Sequence, residues 1–434
     1  MKLKRLTLAL IVASLGLSAT AQQTQSLRLT LDEAQQYAVE HNATMKNADL
    51  DVKKAELDRW KTLSSMLPTV KAGFDYQNML GYEMHMGMGG TSISIPLNPS
   101  GSFSITAAVA LTGSQIVGTM LQNIAMEMTD ITRQQTEQST RSQVKNIYVS
   151  ILIMEETVGL LDSSLANLER LATTSQEAVN VGAAEQVDAD KLQVQVATLR
   201  SSINATNRSL QMLRNSLLIQ LGADVNATIE LTTPVEQILN VDGALAFLNE
   251  SFEIEKNYNY QLLEKNEEIA RKNVNMAWMD FLPTLSAYYQ YSAKTYFGKE
   301  EGMNMTPPNM VGISISWPLV TSGTRYANIK SARIALQETQ NSKKQAEDGL
   351  LVQYNQLRYD LASALETYDI QHRNLEVTQR VFANVSEKYK YGRASSLEVT
   401  TSSNDIIAAQ NSYIQAVMNV ISAQTALENL LNKQ

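Results

Sequence analysis

The sequence predicts a mostly α-helical, internally duplicated chain with a small β part. Its long coiled-coil helices suit a pipe or a stalk. Four strands per chain have the pattern of membrane strands and, if they span, need several copies to close one barrel. Three observations carry this prediction: two long stretches without proline, one set of landmarks that occurs twice, and short segments in which apolar and polar residues alternate.

The first element is an export signal. Lys2, Lys4 and Arg5 precede an apolar run from Leu6 to Leu17, and Ala19-Thr20-Ala21 forms a small-x-small cleavage site. The run falls short of the roughly 20 apolar residues a spanning helix needs, and no later segment reaches that length. Removing residues 1–21 takes three cations from a net charge of −8 and leaves −11.

The helices follow from proline placement. No proline occurs between Pro99 and Pro234 or after Pro318. Proline lacks the N–H and clashes with the preceding turn, so helix interiors exclude it. Each stretch divides into a long helix and a shorter one, joined near Gly182 in the first and Gly392 in the second. The long helices are expected over residues 114–180 and 324–389, roughly 100 Å each at 1.5 Å per residue. That length suits a pipe or a stalk. In the shorter helices, Leu192, Val196, Leu199, Ile203, Leu210, Leu213 and Leu217 step by threes and fours, with Thr206 filling the gap. Ile406, Ala409, Tyr413, Ala416, Val420, Ala423, Leu427 and Leu430 do the same. A 3.5-residue period keeps one seam on a partner helix and imposes a left-handed supercoil.

The duplication is visible in the landmarks. Met66-Leu67-Pro68-Thr69-Val70 returns as Phe281-Leu282-Pro283-Thr284-Leu285. The segment from Val181 to Val187 is answered by Tyr391 to Leu397. Two copies are too few for a solenoid and suit an internal pseudo-twofold.

Four strands lie between the helical parts. Phe103, Ile105, Ala107, Val109 and Leu111 alternate with small or polar residues, as do Val311, Ile313, Ile315 and Trp317. Their partners are residues 69–79 and 284–296, which carry Phe74, Tyr76, Tyr289, Tyr291 and Tyr296. Segments of about ten residues with one apolar face and aromatic ends fit outer-membrane strands; a soluble sheet packed on the helices is the alternative. Four strands cannot close a barrel, and open edges are not viable in lipid. If the strands span, several chains share one barrel, and three chains give twelve strands.

Composition excludes much else. The chain has no cysteine, so it has no disulfide scaffold, thiolate metal site or cysteine nucleophile. Its three histidines, His41, His85 and His372, fall in separate predicted elements. No G-x-S-x-G, phosphate loop or H-E-x-x-H occurs. No catalytic, cofactor or metal site is assigned. The acidic balance without a basic block gives no footprint for nucleic acid. Met84-His85-Met86-Gly87-Met88, between the first two strands, has donors suited to a soft metal such as Cu(I). Met303 and Met305 lie in the opposite loop. The plainer reading of this segment is a flexible extracellular loop.

Taken together, these features resemble the TolC family of outer-membrane efflux proteins over essentially the whole mature chain. Leu29-Thr30-Leu31-Asp32-Glu33-Ala34 is similar to the family's opening helix motif. Leu67-Pro68 and Leu282-Pro283 are similar to its helix-to-strand junctions. Tyr389, Gly392, Ser395, Leu397, Glu398 and Val399 are similar to its pattern at the second helical hairpin. The resemblance implies a homotrimer that closes a twelve-stranded barrel in outer-membrane lipid, with the long coiled-coil helices forming an α-barrel in the periplasm. It implies a passive exit duct of a tripartite efflux or type I secretion system. The duct is recruited by a periplasmic adaptor (a membrane fusion protein) and an inner-membrane pump of RND or ABC type. The rival is a structural or adhesive coiled-coil protein of the envelope, which needs neither the hairpins nor the duplication.

The expected organisation is a signal peptide (1–21), an opening periplasmic helix (22–67), a first β-hairpin (68–112), and the long and short helices of the first half (113–222). An equatorial crossing (223–249) follows. Then come an opening helix (250–282), a second β-hairpin (283–320), and the long and short helices of the second half (321–434). By resemblance, Gly182, Gly392, Arg393, Ser395 and Leu397 mark periplasmic tips that meet the adaptor. Asp188, Tyr389, Glu398 and Thr401 mark an entrance gate, in which Asp188 and Tyr389 link the coiled coils and Glu398 forms an acidic ring. Where the family carries arginine, this chain has Ala394, with Arg393 one residue earlier, so the link network is not an exact copy.

Overall fold

The computed structural model describes residues 26–88, 91–239, 241–297 and 307–433. The export signal, Met303 and Met305 lie outside them. In chain order the elements are strand β1 (Ser26–Leu29), helices α1 (Leu31–His41) and α2 (Ala43–Ser64), strands β2 (Thr69–Gln77), β3 (Glu83–Met88), β4 (Thr91–Pro96) and β5 (Ser100–Leu111), and helices α3 (Gly113–Asn180) and α4 (Gln186–Leu221). Strand β6 (Thr228–Leu231), helices α5 (Val235–Ile238), α6 (Val241–Phe247) and α7 (Tyr258–Met279), strands β7 (Thr284–Tyr296) and β8 (Asn309–Ser316), and helices α8 (Thr324–Lys390) and α9 (Ser396–Leu431) complete the chain.

The duplication holds in the helices. α4 and α9 each have 36 residues, and each begins and ends 210 residues from its counterpart. The four hairpin helices α3, α4, α8 and α9 stop in the same way. Gly182, Gly222 and Gly392 adopt φ of 74°, 70° and 66°, and Asn432 adopts 53°. At each, two backbone N–H groups turn back onto the last carbonyls, as from Gly392 to Tyr389 (2.9 Å) and from Arg393 to Lys388 (2.8 Å). The predicted seams are the buried ones. Leu192, Leu199, Ile203, Leu210 and Leu217 of α4, and Ile406, Ala409, Ala416, Val420, Leu427 and Leu430 of α9, are inside.

The chain divides into two compact units. One comprises the described residues up to Ala48 with Gln134–Asn257 and the segment from Leu350 onward; the other comprises Asp49–Arg133 and Tyr258–Gly349. In the first unit, β1 pairs in parallel with β6. Tyr148 of α3 is fully buried beneath this pair. Its hydroxyl donates to the Leu29 carbonyl (3.0 Å) and accepts from the N–H groups of Thr232 (3.1 Å) and Thr233 (3.0 Å). The second unit holds a four-stranded antiparallel sheet in the order β2-β5-β7-β8. No helix of the described residues is long and apolar enough to cross a membrane.

Two expectations need correction. The single opening helix over 22–67 is a strand and two helices. Asn42 breaks the run: its backbone leaves the helix, its carboxamide oxygen accepts from the Thr44 N–H (2.6 Å), and its amide donates to the Gln220 carbonyl (2.6 Å). The crossing over 223–249, for which the sequence specifies no element, contains β6 and two short helices. The methionine-rich loop is a β-hairpin of β3 on β4, because Thr91-Ser92-Ile93-Ser94-Ile95 offers it a strand-forming partner.

Candidate functional site

Two places concentrate features that packing alone leaves unexplained. The first lies at the α3–α4 and α8–α9 turns. Gly182 and Gly392 have positive φ and no atom within 4 Å of an added Cβ, so each sits at an open turn that only its backbone conformation reserves for glycine. Large apolar side chains are exposed there at matching places of the two repeats: Val181 (80%) with Tyr391 (72%), and Val187 (55%) with Leu397 (62%). Arg393 and Thr401 are also exposed.

Ser395 and Glu398 start α9 as a reciprocal cap. Ser395 N–H and Oγ donate to Glu398 Oε2 (2.7 and 3.0 Å), and Glu398 N–H donates to Ser395 Oγ (3.2 Å). The backbone N–H of Ser395, and then its hydroxyl, hold the Glu398 carboxyl below the usual carboxylate range. Thr30 and Glu33 cap α1 by the same arrangement. The S-x-x-E and T-x-x-E spacing was present in the sequence, where Glu398 reads only as a charge.

Hydrogen bonds tie the two helical hairpins together. Ser396 donates to Asp188, the Tyr389 hydroxyl pairs with Ser175 (2.9 Å), Asn167 donates to Ser386 (3.1 Å), and Gln195 donates to Asn404 (2.7 Å) and Ser403 (3.3 Å). Ser175, Ser386, Ser396 and Ser403 are buried. Asp188 also lies 3.8 Å from Lys191. Within one chain, therefore, Asp188 and Tyr389 do not share a hydrogen bond; each has a serine partner in the other repeat. Those serines were missed in the sequence. Their signal is a polar heptad stripe, with Asp188 and Gln195 seven apart facing Ser396 and Ser403 seven apart.

The second place is the four-stranded sheet. Its register aligns Phe74 with Phe103 and Ala293, Ala72 with Ile105 and Tyr291, and Leu111 with Leu285 and Ile315. One face is apolar apart from Thr295 and Asn309, which lie toward one end of the strands. It is also exposed: Val70 (70%), Phe74 (72%), Val311 (75%) and Ile313 (74%). The opposite face carries Lys71, Asp75, Ser102, Ser104, Thr106, Ser286, Gln290, Lys294 and Ser314. Aromatic rings gather at both ends of the strands. Tyr76 meets Phe297 (6.0 Å) at one end. At the other, Trp278 meets Phe281 (5.7 Å), and Trp317 donates to the Phe281 carbonyl (3.0 Å). A sheet that exposes one predominantly apolar face between aromatic rims is built for lipid on that side and water on the other.

The β3–β4 hairpin removes the case for a mixed thioether–imidazole site. Strand alternation puts Met84 and Met86 on one face and His85 on the other, beside Glu83 and Ser94. No cluster of three His, Asp or Glu placed for a metal exists among the described residues.

Comparison with known proteins agrees with this geometry. Residues 255–433 match the family model described as outer membrane efflux protein. The chain is 22% identical over 359 residues to the outer membrane efflux protein BepC of Brucella suis biovar 1 (strain 1330), covering 79% of this chain and 75% of BepC. Among solved structures, it is similar to the outer membrane protein VceC of Vibrio cholerae, with a TM-score of 0.71, 13% identity, and 93% and 96% of the two chains covered. It is also similar to the MtrE outer membrane channel of Neisseria gonorrhoeae in its open state, with a TM-score of 0.70, 17% identity, and 93% and 89% covered. The fold is thus that of outer-membrane channels.

Proposed function

We infer the role of this chain from a premise its second half supplies: through residues 255–433 it belongs to the outer membrane efflux protein family. It is an outer-membrane efflux channel, with helices on the periplasmic side and strands in the membrane. Three copies form the working duct, each giving four strands to one barrel. The observation that carries this reading is the sheet. Among the described residues, β2 and β8 are edges, and the face they share is exposed and apolar. Unpaired edges cannot stand in lipid, where each free N–H or C=O costs several kcal/mol. Pairing β8 of one copy with β2 of the next removes every edge. Small barrels start at about eight strands, so twelve leave a lumen.

The duct is passive. A periplasmic adaptor meets the turns at Gly182 and Gly392, and an inner-membrane pump of RND or ABC type supplies the energy. Arg393, Ser395 and Leu397 lie at that contact. Asp188, Tyr389, Glu398 and Thr401 line the entrance. The exposed apolar side chains at the turns support the docking role, because single-chain packing leaves them uncovered. The test is the assembled mass. Extracted in detergent, the protein is expected to run as a heat-sensitive oligomer with three times the mass of one mature chain by light scattering. Release of monomer by osmotic shock alone would overturn the reading.

A further inference from the structure

We propose that Lys71 makes the wall of the channel anion-collecting, so that the cargo class favoured at this level carries a carboxylate, sulfate or phosphate. The inference rests on the channel reading above, which makes the polar face of the sheet the lumen.

Register decides the matter. Lys71 of β2 pairs with Thr106 of β5, which pairs with Gln290 of β7, which pairs with Met310 of β8. No carboxylate shares that row. The next row holds Gly73, Ser104 and Ser292, and the one before it holds Thr69, Ala108, Tyr288 and Gly312. The flanking strand β5 carries only Ser100, Ser102, Ser104, Thr106, Ala108 and Ala110 on this face. On its other side, β2 is an edge. If β8 of another copy closes the barrel there, it brings Met310, Gly312, Ser314 and Ser316, uncharged in any register. Lys71 therefore faces no acid from either side. Asp75 lies four residues up its own strand, about 13 Å away, in the row of Lys294, and the two offset each other. Each chain thus adds one uncompensated cation to the described part of the wall, and three copies make a ring. Water-filled pores read such rings as selectivity.

The local potential can be read with charged thiol reagents, because the chain has no cysteine of its own. Ser104 is the reporter: it lies one row from Lys71, and its Oγ would stand 3.3 Å from a Cβ added at Gly73, on the same face. In the full-length trimer carrying Ser104→Cys, the rates of modification by anionic and by cationic methanethiosulfonates are measured and divided. Adding Lys71→Gln is expected to lower the anionic-to-cationic ratio about threefold at 0.1 M salt, and further at 0.01 M, where the Debye length grows from about 10 to about 30 Å. Lys71→Glu should lower it more, and Lys71→Arg should restore it. Ratios equal across all four backgrounds at 0.01 M salt would overturn the proposal and leave the channel reading intact. A Ser104→Cys thiol that neither reagent modifies would show that this face is not a wetted wall, and would overturn both.

Discussion

Ser396 donates a hydrogen bond to Asp188, and that bond runs from one repeat of the chain to the other. The Tyr389–Ser175 bond does the same, again with its donor in the second repeat and its acceptor in the first. Bonds to a charged group contribute about 1.5–3 kcal/mol and neutral ones about 1 kcal/mol. If the hairpins must part for the entrance to open, Ser396→Ala should raise the open probability of the reconstituted channel more than about tenfold and Tyr389→Phe about fivefold. Single-channel recording reads both. Cysteines at 188 and 396 should bridge within one chain on mild oxidation and hold the channel shut until reduced. Assembled variants with unchanged open probability would detach these bonds from gating.

Glu398 has a structural task that any gating role must be separated from. Its carboxylate caps α9 through Ser395, and that hydrogen bonding depresses its pKa. A depressed carboxylate contributes stability that is complete above its ordinary value near 4.5 and is lost as pH falls through the lowered value. The first turn of α9 should therefore loosen only in acid, seen as faster amide exchange below about pH 4.5, and Ser395→Ala should remove about 1 kcal/mol of helix stability. Glu398→Gln tests the acidic ring by itself. Three carboxylates around one axis would favour cations, so the cation preference of the channel should fall. A preference equal to that of the wild type would leave Glu398 as a cap alone.

The glycines at helix ends separate two causes of the same conservation of conformation. At Gly392 a Cβ would meet nothing, whereas at Gly222 it would stand 2.3 Å from the His41 carbonyl oxygen and 2.7 Å from its carbon. Gly392→Ala should carry only the left-handed backbone cost, about 1–2 kcal/mol. Gly222→Ala must also push α4 away from the α1–α2 junction, where Asn42 holds the Gln220 carbonyl. It should lower the urea midpoint of the detergent-solubilised protein clearly more than Gly392→Ala. Equal midpoints would mean that the junction yields without cost.

What could be read from the sequence follows the range of each interaction. Proline exclusion, the glycine stops at 182 and 392 and the heptads of α4 and α9 are local, and they gave helix ends that the structure moves by one residue at most. Alternation gave the four sheet strands for the same reason. The β1–β6 pair escaped because two four-residue strands joined across about 200 residues leave no periodic trace. The β3–β4 hairpin escaped because a run of methionine and glycine has little strand propensity of its own. Between the two helical hairpins, Asp188 and Tyr389 were visible as candidates, but their partners were not. Ser175 and Ser396 are unremarkable in sequence and acquire meaning only where two helices place them opposite a carboxylate and a phenol.

The turns give the sharpest test of partnership. Val181, Val187, Tyr391 and Leu397 repeat one exposed apolar arrangement in both halves of the chain. Exposed apolar side chains cluster where a partner covers them, and a helical hairpin of an adaptor offers a matching seam. A photoreactive residue at Arg393, irradiated in living cells, should capture a periplasmic adaptor identifiable by mass spectrometry. Tyr391→Asp with Leu397→Asp should abolish that capture and cut efflux at least tenfold, while the trimer still assembles and conducts in bilayers. That split matters, because a folding defect would remove conductance together with efflux. Capture of the chain's own copies alone, by a label shown to be reactive, would instead make these residues part of a self-contact and take the adaptor away from the turns.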